Sequence, residues 1–144
     1  MSYLSSFERS FSQHTLAIVE EYDGKYDATL LINCLLGLLV VPKETMLDAI
    51  PETPLTELSK WGITPTSIKA PGAAQGRNDP NPETLRGLMF NLRHAVAHFR
   101  IKPVPLEGEV RAFEFRNDRG LESEVTVQEV REFVKRLSAH LKEQ

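Results

Sequence analysis

Arginine and histidine side chains recur at regular intervals between Leu85 and Arg100. The arginines are spaced by seven residues and are Arg86, Arg93 and Arg100. A second row of polar residues, on another side of the predicted helix, comprises Asn91, His94 and His98. Guanidinium groups hold phosphates, and imidazoles exchange protons near neutral pH. The segment therefore predicts a phosphate-binding site that is also equipped for proton transfer.

The apolar residues of this segment have the spacing of an amphipathic helix. The stripe that they form at about 100° per residue consists of Leu85, Leu88, Met89, Leu92, Val96 and Phe99. Asn81 is the predicted cap, and Pro82 is the predicted first residue of the helix. We therefore expect a central helix that packs this stripe, Phe99 included, on a core.

His98 lies five positions after Arg93, which places their side chains about 140° apart around a straight helix. A two-fold dimer with this helix near its axis would bring Arg93 beside the partner's His98, and Ala95 and Ala97 would allow close approach. Two alternatives stay open from spacing alone. The side chains can be ordinary surface residues, or His94 and His98 can share a metal ion, although position 95 lacks the glutamate of a zinc protease.

Composition favours one domain over residues 1–144. A chain of 144 residues with 41% hydrophobic content can form one substantial core. The net charge of −3 argues against non-specific coating of nucleic acid, so any contact with nucleic acid must be local. The only cysteine, Cys34, excludes an internal disulfide and lies in an apolar run, which predicts a buried, inert thiol.

Targeting signals are not evident in the sequence. The N-terminus has no basic region followed by an apolar block, and the most apolar run, residues 28–41, is too short for a membrane helix. We therefore expect a cytoplasmic protein that does not contact a membrane.

The remaining pattern predicts mainly helices. A first helix covers residues 4–22, with an apolar face that comprises Leu4, Phe7, Phe11, Ile18, Val19 and Tyr22. Asp27 caps a second helix over residues 28–41 that is apolar on several sides and that Pro42 stops or kinks. A short helix has Thr53 as cap, Pro54 as first residue and Gly62 just past its end.

The helical spacing of apolar residues stops after the short helix. Residues 69–82 lack large apolar side chains, which predicts a mobile loop. Residues 101–125 contain alternating segments separated by turns at 107–108 and 117–120, and Thr126 with Glu129 forms a capping box for a final helix. The fold class is therefore mainly α: a bundle of four to five helices with a small antiparallel β insertion before the last helix.

The run Arg93-His94-Ala95-Val96-Ala97-His98 resembles the signature of the HEPN superfamily (higher eukaryotes and prokaryotes nucleotide-binding). That signature is an arginine, usually a polar residue next, and a histidine four to six residues after the arginine. The resemblance is strongest over residues 84–100 and looser over the preceding helices, whereas the strands between positions 104 and 125 depart from the plain bundle.

The resemblance implies a metal-independent endoribonuclease without a cofactor. Such proteins are commonly homodimers with composite sites and occur in toxin–antitoxin, phage-defence and RNA-processing systems. RNA is therefore the implied partner, together with a cognate antitoxin where the system is a toxin–antitoxin pair. His98 would take a proton from a ribose 2′-hydroxyl, Arg93 would stabilise the phosphoryl charge, and His94 would orient the phosphate or assist. The residues implied for binding the RNA backbone are Arg86, Asn91 and Arg100.

The competing hypothesis is a catalytically inactive HEPN-like module that binds a nucleotide, RNA or a protein through the same groove. The acidic balance of the chain favours this module, whereas the intact pair of Arg93 and His98 favours the nuclease.

Overall fold

The structure is a computed structural model that describes residues 6–40, 47–74 and 76–144. Its α-helices are α1 (Ser6–Glu21), α2 (Asp27–Leu35), α3 (Leu85–Ala97) and α4 (Val127–Lys142). Tighter or wider helical turns cover Leu36–Val40, Leu55–Trp61 and Pro65–Ser67. The strands are β1 (Ile68–Pro71), β2 (Ile101–Leu106), β3 (Glu109–Arg116) and β4 (Leu121–Thr126).

The four strands form one antiparallel sheet in the order β1-β4-β3-β2. The predicted insertion over residues 101–125 is thus confirmed, but the sheet is a larger part of the fold than expected. The prediction of a loop over residues 69–82 is wrong at its start, because Ile68–Pro71 pairs with β4. A strand at the edge of a sheet is held by main-chain hydrogen bonds and needs few large side chains, so hydrophobicity alone did not reveal it.

Helix α1 covers the predicted segment, but it uses the predicted face only in part: Val19 is buried, whereas Phe7, Phe11 and Ile18 are exposed. Leu4 lies outside the described residues. Phe7 is 76% exposed, whereas Ser12 and Thr15 are buried. Their hydroxyls donate to the carbonyl oxygens of Glu8 and Phe11, at 3.0 and 2.9 Å, so they can be buried without losing hydrogen bonds. These short side chains permit the close packing of α1 on α4.

Helix α2 occupies the centre, as predicted from its apolar composition. The most deeply buried residues of this helix and of the turn that continues it are Leu31, Leu35, Leu38 and Leu39. Tyr26, not Asp27, is the residue that precedes the first turn, and the Asp27 carboxylate instead pairs with Arg131 of α4. The predicted end at Pro42 lies outside the described residues.

Helix α4 is anchored at its first turn, and its capping box is confirmed. The Glu129 carboxylate accepts from the Thr126 N–H at 3.0 Å, and the Thr126 hydroxyl accepts from the Glu129 N–H at 3.0 Å. The same carboxylate also accepts from the Thr64 N–H at 2.7 Å and from the Ser67 hydroxyl at 2.9 Å. The apolar face predicted for this helix is buried and comprises Val130, Phe133, Val134, Leu137 and Leu141.

Gly62, with φ of 88°, ends the short helix as predicted, although Pro54 occupies the capping position that was expected for Thr53. Within the described ranges, no helix is long and apolar enough to cross a membrane.

Candidate active site at the end of helix α3

Helix α3 begins three residues later than predicted. Thr84, not Asn81, is the cap, and its hydroxyl accepts from the Gly87 N–H at 3.2 Å. The preceding chain crosses directly over the helix at Gly87, where an added Cβ would lie 2.0 Å from the Asn81 carbonyl oxygen. Glycine is therefore required at this position for the segment before α3 to reach its place.

The C-terminal end of α3 closes with a Schellman motif that the sequence pattern did not reveal. The Phe99 N–H donates to the Val96 oxygen at 3.1 Å, and the Arg100 N–H donates to the Ala95 oxygen at 2.7 Å. Phe99 adopts a left-handed conformation with φ of 51° and is 68% exposed, so its predicted place in the core is wrong. The helix ends at Ala97, and His98 is its C-cap residue, whose N–H still donates to the His94 oxygen at 3.1 Å.

Three rings line up along one side of this helix end. The ring of Phe90 meets His94 edge-on, with centroids 5.5 Å apart and an interplanar angle of 69°. The rings of His94 and His98 lie nearly parallel at 16°, with centroids 6.4 Å apart. The structure therefore brings the two predicted site histidines together within one protomer.

A cleft of about 140 Å³ opens beside the two histidines. The residues that line it are His94, His98, Arg100, Asn117, Asp118 and Arg119. A cavity of roughly 10–15 Å³ suffices for one water molecule, so this cleft has room for a phosphodiester group. Half of its lining comes from the turn between β3 and β4, which the sequence indicated only as a turn.

Arg119 of this turn lies close to an aromatic ring and a carboxylate. Its guanidinium lies over the Phe90 ring, 5.1 Å from the centroid, and its Nη1 lies 3.7 Å from Oδ2 of Asp79. Its side chain is 12% exposed. Sequence reasoning missed Arg119 because its proximity to His94 arises only when the sheet folds against α3.

Two asparagines fasten the turn to α3. The Asn117 amide donates to both the carbonyl oxygen and Oδ1 of Asn91, each at 3.2 Å, and its Oδ1 accepts from the N–H groups of Arg119 and Leu121, each at 2.9 Å. The Asn91 amide donates to the Pro71 oxygen at 2.9 Å. Asn91 is 1% exposed and holds β1 and the turn against α3. It does not face the cleft, whereas the sequence predicted that it binds the RNA backbone.

The charges around His94 favour its neutral form. Partial burial lowers the pKa of His94 below its usual value, and the positive charges of Arg119, His98 and Arg93 lower it further, while Asp79 acts in the opposite direction. Four groups that can carry positive charge therefore act on one another at this end of α3. An anion bound beside His94 would be stabilised by the charges that surround this residue.

The other predicted site residues divide between this cleft and the rest of the protein. Arg100 lines the cleft and pairs with Asp118. Arg93 is half-buried, and no hydrogen bond or ion pair engages it within the part of the chain that the structure describes. Arg86 instead binds the Ile50 and Asp48 carbonyl oxygens and the Glu52 carboxylate, at 2.7, 3.1 and 3.1 Å, which gives it a structural role away from the histidines.

Other chemistries have less support in the described ranges. Within residues 6–40, 47–74 and 76–144, no group of three or more His, Cys, Asp or Glu side chains converges as metal ligands would. Cys34 is half-buried, and burial raises the pKa of its thiol, which keeps it in the less reactive protonated form.

The fold and the cleft define a mainly helical domain with a cationic, histidine-bearing site at the end of its core helix. The whole chain, residues 1–144, matches the family described as HEPN pEK499 p136, and the chain belongs to this HEPN family. The resemblance drawn from Arg93, His94 and His98 is thereby confirmed at the level of the family. No curated protein and no solved structure matches the chain.

Proposed function

We propose that the protein is a metal-independent endoribonuclease whose active site is the cleft beside His94 and His98. The observation that carries this proposal is the convergence of the two stacked histidines with Arg119 on one phosphate-sized cleft. The chain has a net charge of −3, so this concentration of cationic groups is local and not a reflection of overall composition. Membership of a HEPN family supports nucleotide or RNA chemistry at such a site.

The proposed reaction needs only groups that this site contains. The imidazole of His98 takes the proton of a ribose 2′-hydroxyl, and the 2′-oxygen forms a bond to the adjacent phosphorus while the bond from phosphorus to the 5′-oxygen breaks. The leaving 5′-oxygen takes up a proton delivered by water, and the neutral His94 orients the phosphate. The products are a 2′,3′-cyclic phosphate and a 5′-hydroxyl, and arginine stabilises the charge on the phosphoryl oxygens.

Arg93 enters the proposed site through a homodimer. Within the described residues no hydrogen bond joins its side chain to His98, although its charge acts on His94. A two-fold arrangement of α3 would place Arg93 of one protomer beside the cleft of the other. We expect a dimer in sedimentation at micromolar concentration, with an interface that buries more than roughly 1,000 Å² in total. A strict monomer that cleaves RNA would contradict this arrangement.

The experiment that tests the function measures cleavage of single-stranded RNA and identifies the product ends by mass spectrometry. His98→Ala and Arg93→Ala should each reduce the rate by on the order of 10²- to 10⁴-fold. His14→Ala is the matched control, because His14 is exposed on α1. Full activity of folded His98→Ala would refute the assignment.

Mixing the two inactive variants tests the composite site. If each cleft uses Arg93 of one protomer and His98 of the other, the mixed dimer contains one intact cleft and recovers part of the activity. If both residues act within one protomer, the mixture stays inactive.

Chelation separates the proposed reaction from a metal-dependent one. We expect EDTA to leave the rate nearly unchanged, because the proposed proton transfers use imidazole and not metal-bound water. Loss of activity with EDTA and recovery with zinc or manganese would favour a metal shared by His94 and His98.

A second candidate is a HEPN module that binds RNA or a nucleotide without cleaving it. The acidic balance of the chain, with a net charge of −3, favours this candidate, since binding at one site needs only a local contact with phosphate. Binding of labelled RNA without any product, weakened by Arg93→Ala, would establish it.

A role as the toxin of a toxin–antitoxin or phage-defence system extends the nuclease proposal. We expect expression of the wild-type chain to arrest growth and His98→Ala to relieve the arrest. A small antitoxin protein that co-purifies with the wild type would identify the partner.

A further inference from the structure

We propose that Arg119 is a catalytic residue of this site, which contacts a non-bridging oxygen of the scissile phosphate. This inference rests on the proposed function, and it adds to the site a second arginine that lies outside the Arg93–His98 motif. Each complete cleft would then contain Arg119 from its own protomer and Arg93 from the partner.

The position of the guanidinium supports this role. The Phe90 ring lies beneath it at 5.1 Å and Asp79 lies beside it at 3.7 Å, so its orientation is restricted before a ligand arrives. An ordered side chain loses less conformational entropy on binding than a flexible one. The planar guanidinium carries five N–H donors, so it can face Asp79 with one edge and a phosphate with another.

The charge of Arg119 acts on the imidazole of His94. Among the charges that lower the pKa of His94, that of Arg119 has the largest effect, ahead of those of His98 and Arg93. Arg119 and His94 also line the same cleft. A phosphate between them would meet the arginine on one side and the imidazole on the other, which is the arrangement that stabilises charge developing on phosphoryl oxygens.

The turn that carries Arg119 is built to hold its backbone in place. Its N–H donates to Oδ1 of Asn117 at 2.9 Å, and its carbonyl oxygen accepts from the Ala73 N–H at 2.9 Å. Asn117 is in turn bonded to α3 through Asn91. The β insertion therefore supplies a functional residue to the helix that carries the HEPN motif.

The test compares Arg119→Gln with Arg116→Gln on the same hairpin. Arg116 is exposed and pairs only loosely with Glu122, at 3.8 Å, so it provides the same loss of charge outside the cleft. We expect Arg119→Gln to reduce cleavage by at least about 10²-fold, as does the loss of other transition-state donors, and Arg116→Gln to stay within about threefold of wild type.

Two further measurements distinguish a phosphate contact from a structural role. The slope of log affinity for single-stranded RNA against log salt should become shallower by about 0.7 in Arg119→Gln, which corresponds to one phosphate contact. Arg119→Lys should restore the salt slope and part of the rate, because an ammonium supplies the charge without the planar pair of donors. Unfolding midpoints identify any variant that fails to fold. If Arg119→Gln fails to fold, a loss of cleavage rate of at least about tenfold in folded Arg119→Lys supports the phosphate contact, and a smaller loss refutes it.

The outcomes separate this inference from the proposed function. If Arg119→Gln cleaves RNA within threefold of the wild-type rate and its salt slope is unchanged, the role of Arg119 is refuted and the nuclease proposal stands. RNA binding without cleavage refutes the nuclease, and the salt slope then decides whether Arg119 binds phosphate. Absence of both binding and cleavage in the wild type refutes both proposals.

Discussion

The substitution Asn117→Ala tests whether the β3–β4 turn is held against α3 by a single side chain. Asn117 makes four hydrogen bonds, two to Asn91 and two from the turn backbone. At about 1 kcal/mol for each bond, and with the turn N–H groups regaining water, the expected loss is about 2–3 kcal/mol in the free energy of unfolding. The Asn91 oxygens, buried beneath the turn, cannot be compensated as easily.

The assay is urea denaturation followed by the fluorescence of Trp61, with cleavage of RNA measured on the same preparations. Asp118→Ala is the control, because Asp118 is exposed and its ion pair with Arg100 should contribute less than about 1 kcal/mol. Asn117→Asp should not restore stability, since it places a carboxylate oxygen against the Asn91 oxygens. A loss below 1 kcal/mol in Asn117→Ala would show that other contacts hold the turn.

Three other substitutions test parts of the fold that position the site. Glu129→Gln should remove a pH dependence: burial raises the pKa of Glu129, but hydrogen bonds from Thr126, Thr64 and Ser67 outweigh this and lower it, so its stabilisation is present above the ordinary value of 4.5 and is lost as the pH falls through the lowered pKa. Unfolding measured from pH 7 to pH 3 should therefore decline less steeply in the variant than in the wild type. Gly87→Ala should destabilise by about 1–3 kcal/mol, because its Cβ would meet the Asn81 carbonyl, and a wild-type melting temperature would contradict that close approach. Phe99→Gly should stabilise the fold by about 1 kcal/mol in denaturant unfolding by relieving the left-handed conformation, and destabilisation would indicate that the exposed ring has contacts of its own.

Local signals in the sequence were sufficient for several elements. The period of 3.6 residues and the Thr126–Glu129 capping box predicted α4 together with its buried face, and both are confirmed. The strand alternation predicted most of β3 and β4. These predictions succeeded because caps, turns and amphipathic periods depend on residues a few positions apart.

The same local signals were misleading where a helix could bury more than one face. The apolar residues of α1 predicted a buried face that includes Phe7 and Val19, but only Val19 is buried, together with the polar residues Ser12 and Thr15. Which face is buried depends on the shape of the partner surface. The hydroxyls of Ser12 and Thr15 can be buried because they donate hydrogen bonds to carbonyl oxygens of the same helix.

For the site, the sequence alone determined the motif of Arg93, His94 and His98 and, through it, the family. Only the tertiary structure decided that His94 and His98 stack at a helix end, that Asn91 is buried, and that Arg119 belongs to the same cleft. The physical reason is the range of the interactions. The motif lies within two turns of one helix. Arg119 is more than twenty positions away from His94 and approaches it because the sheet folds against α3, where Asn117 and Asn91 join the two.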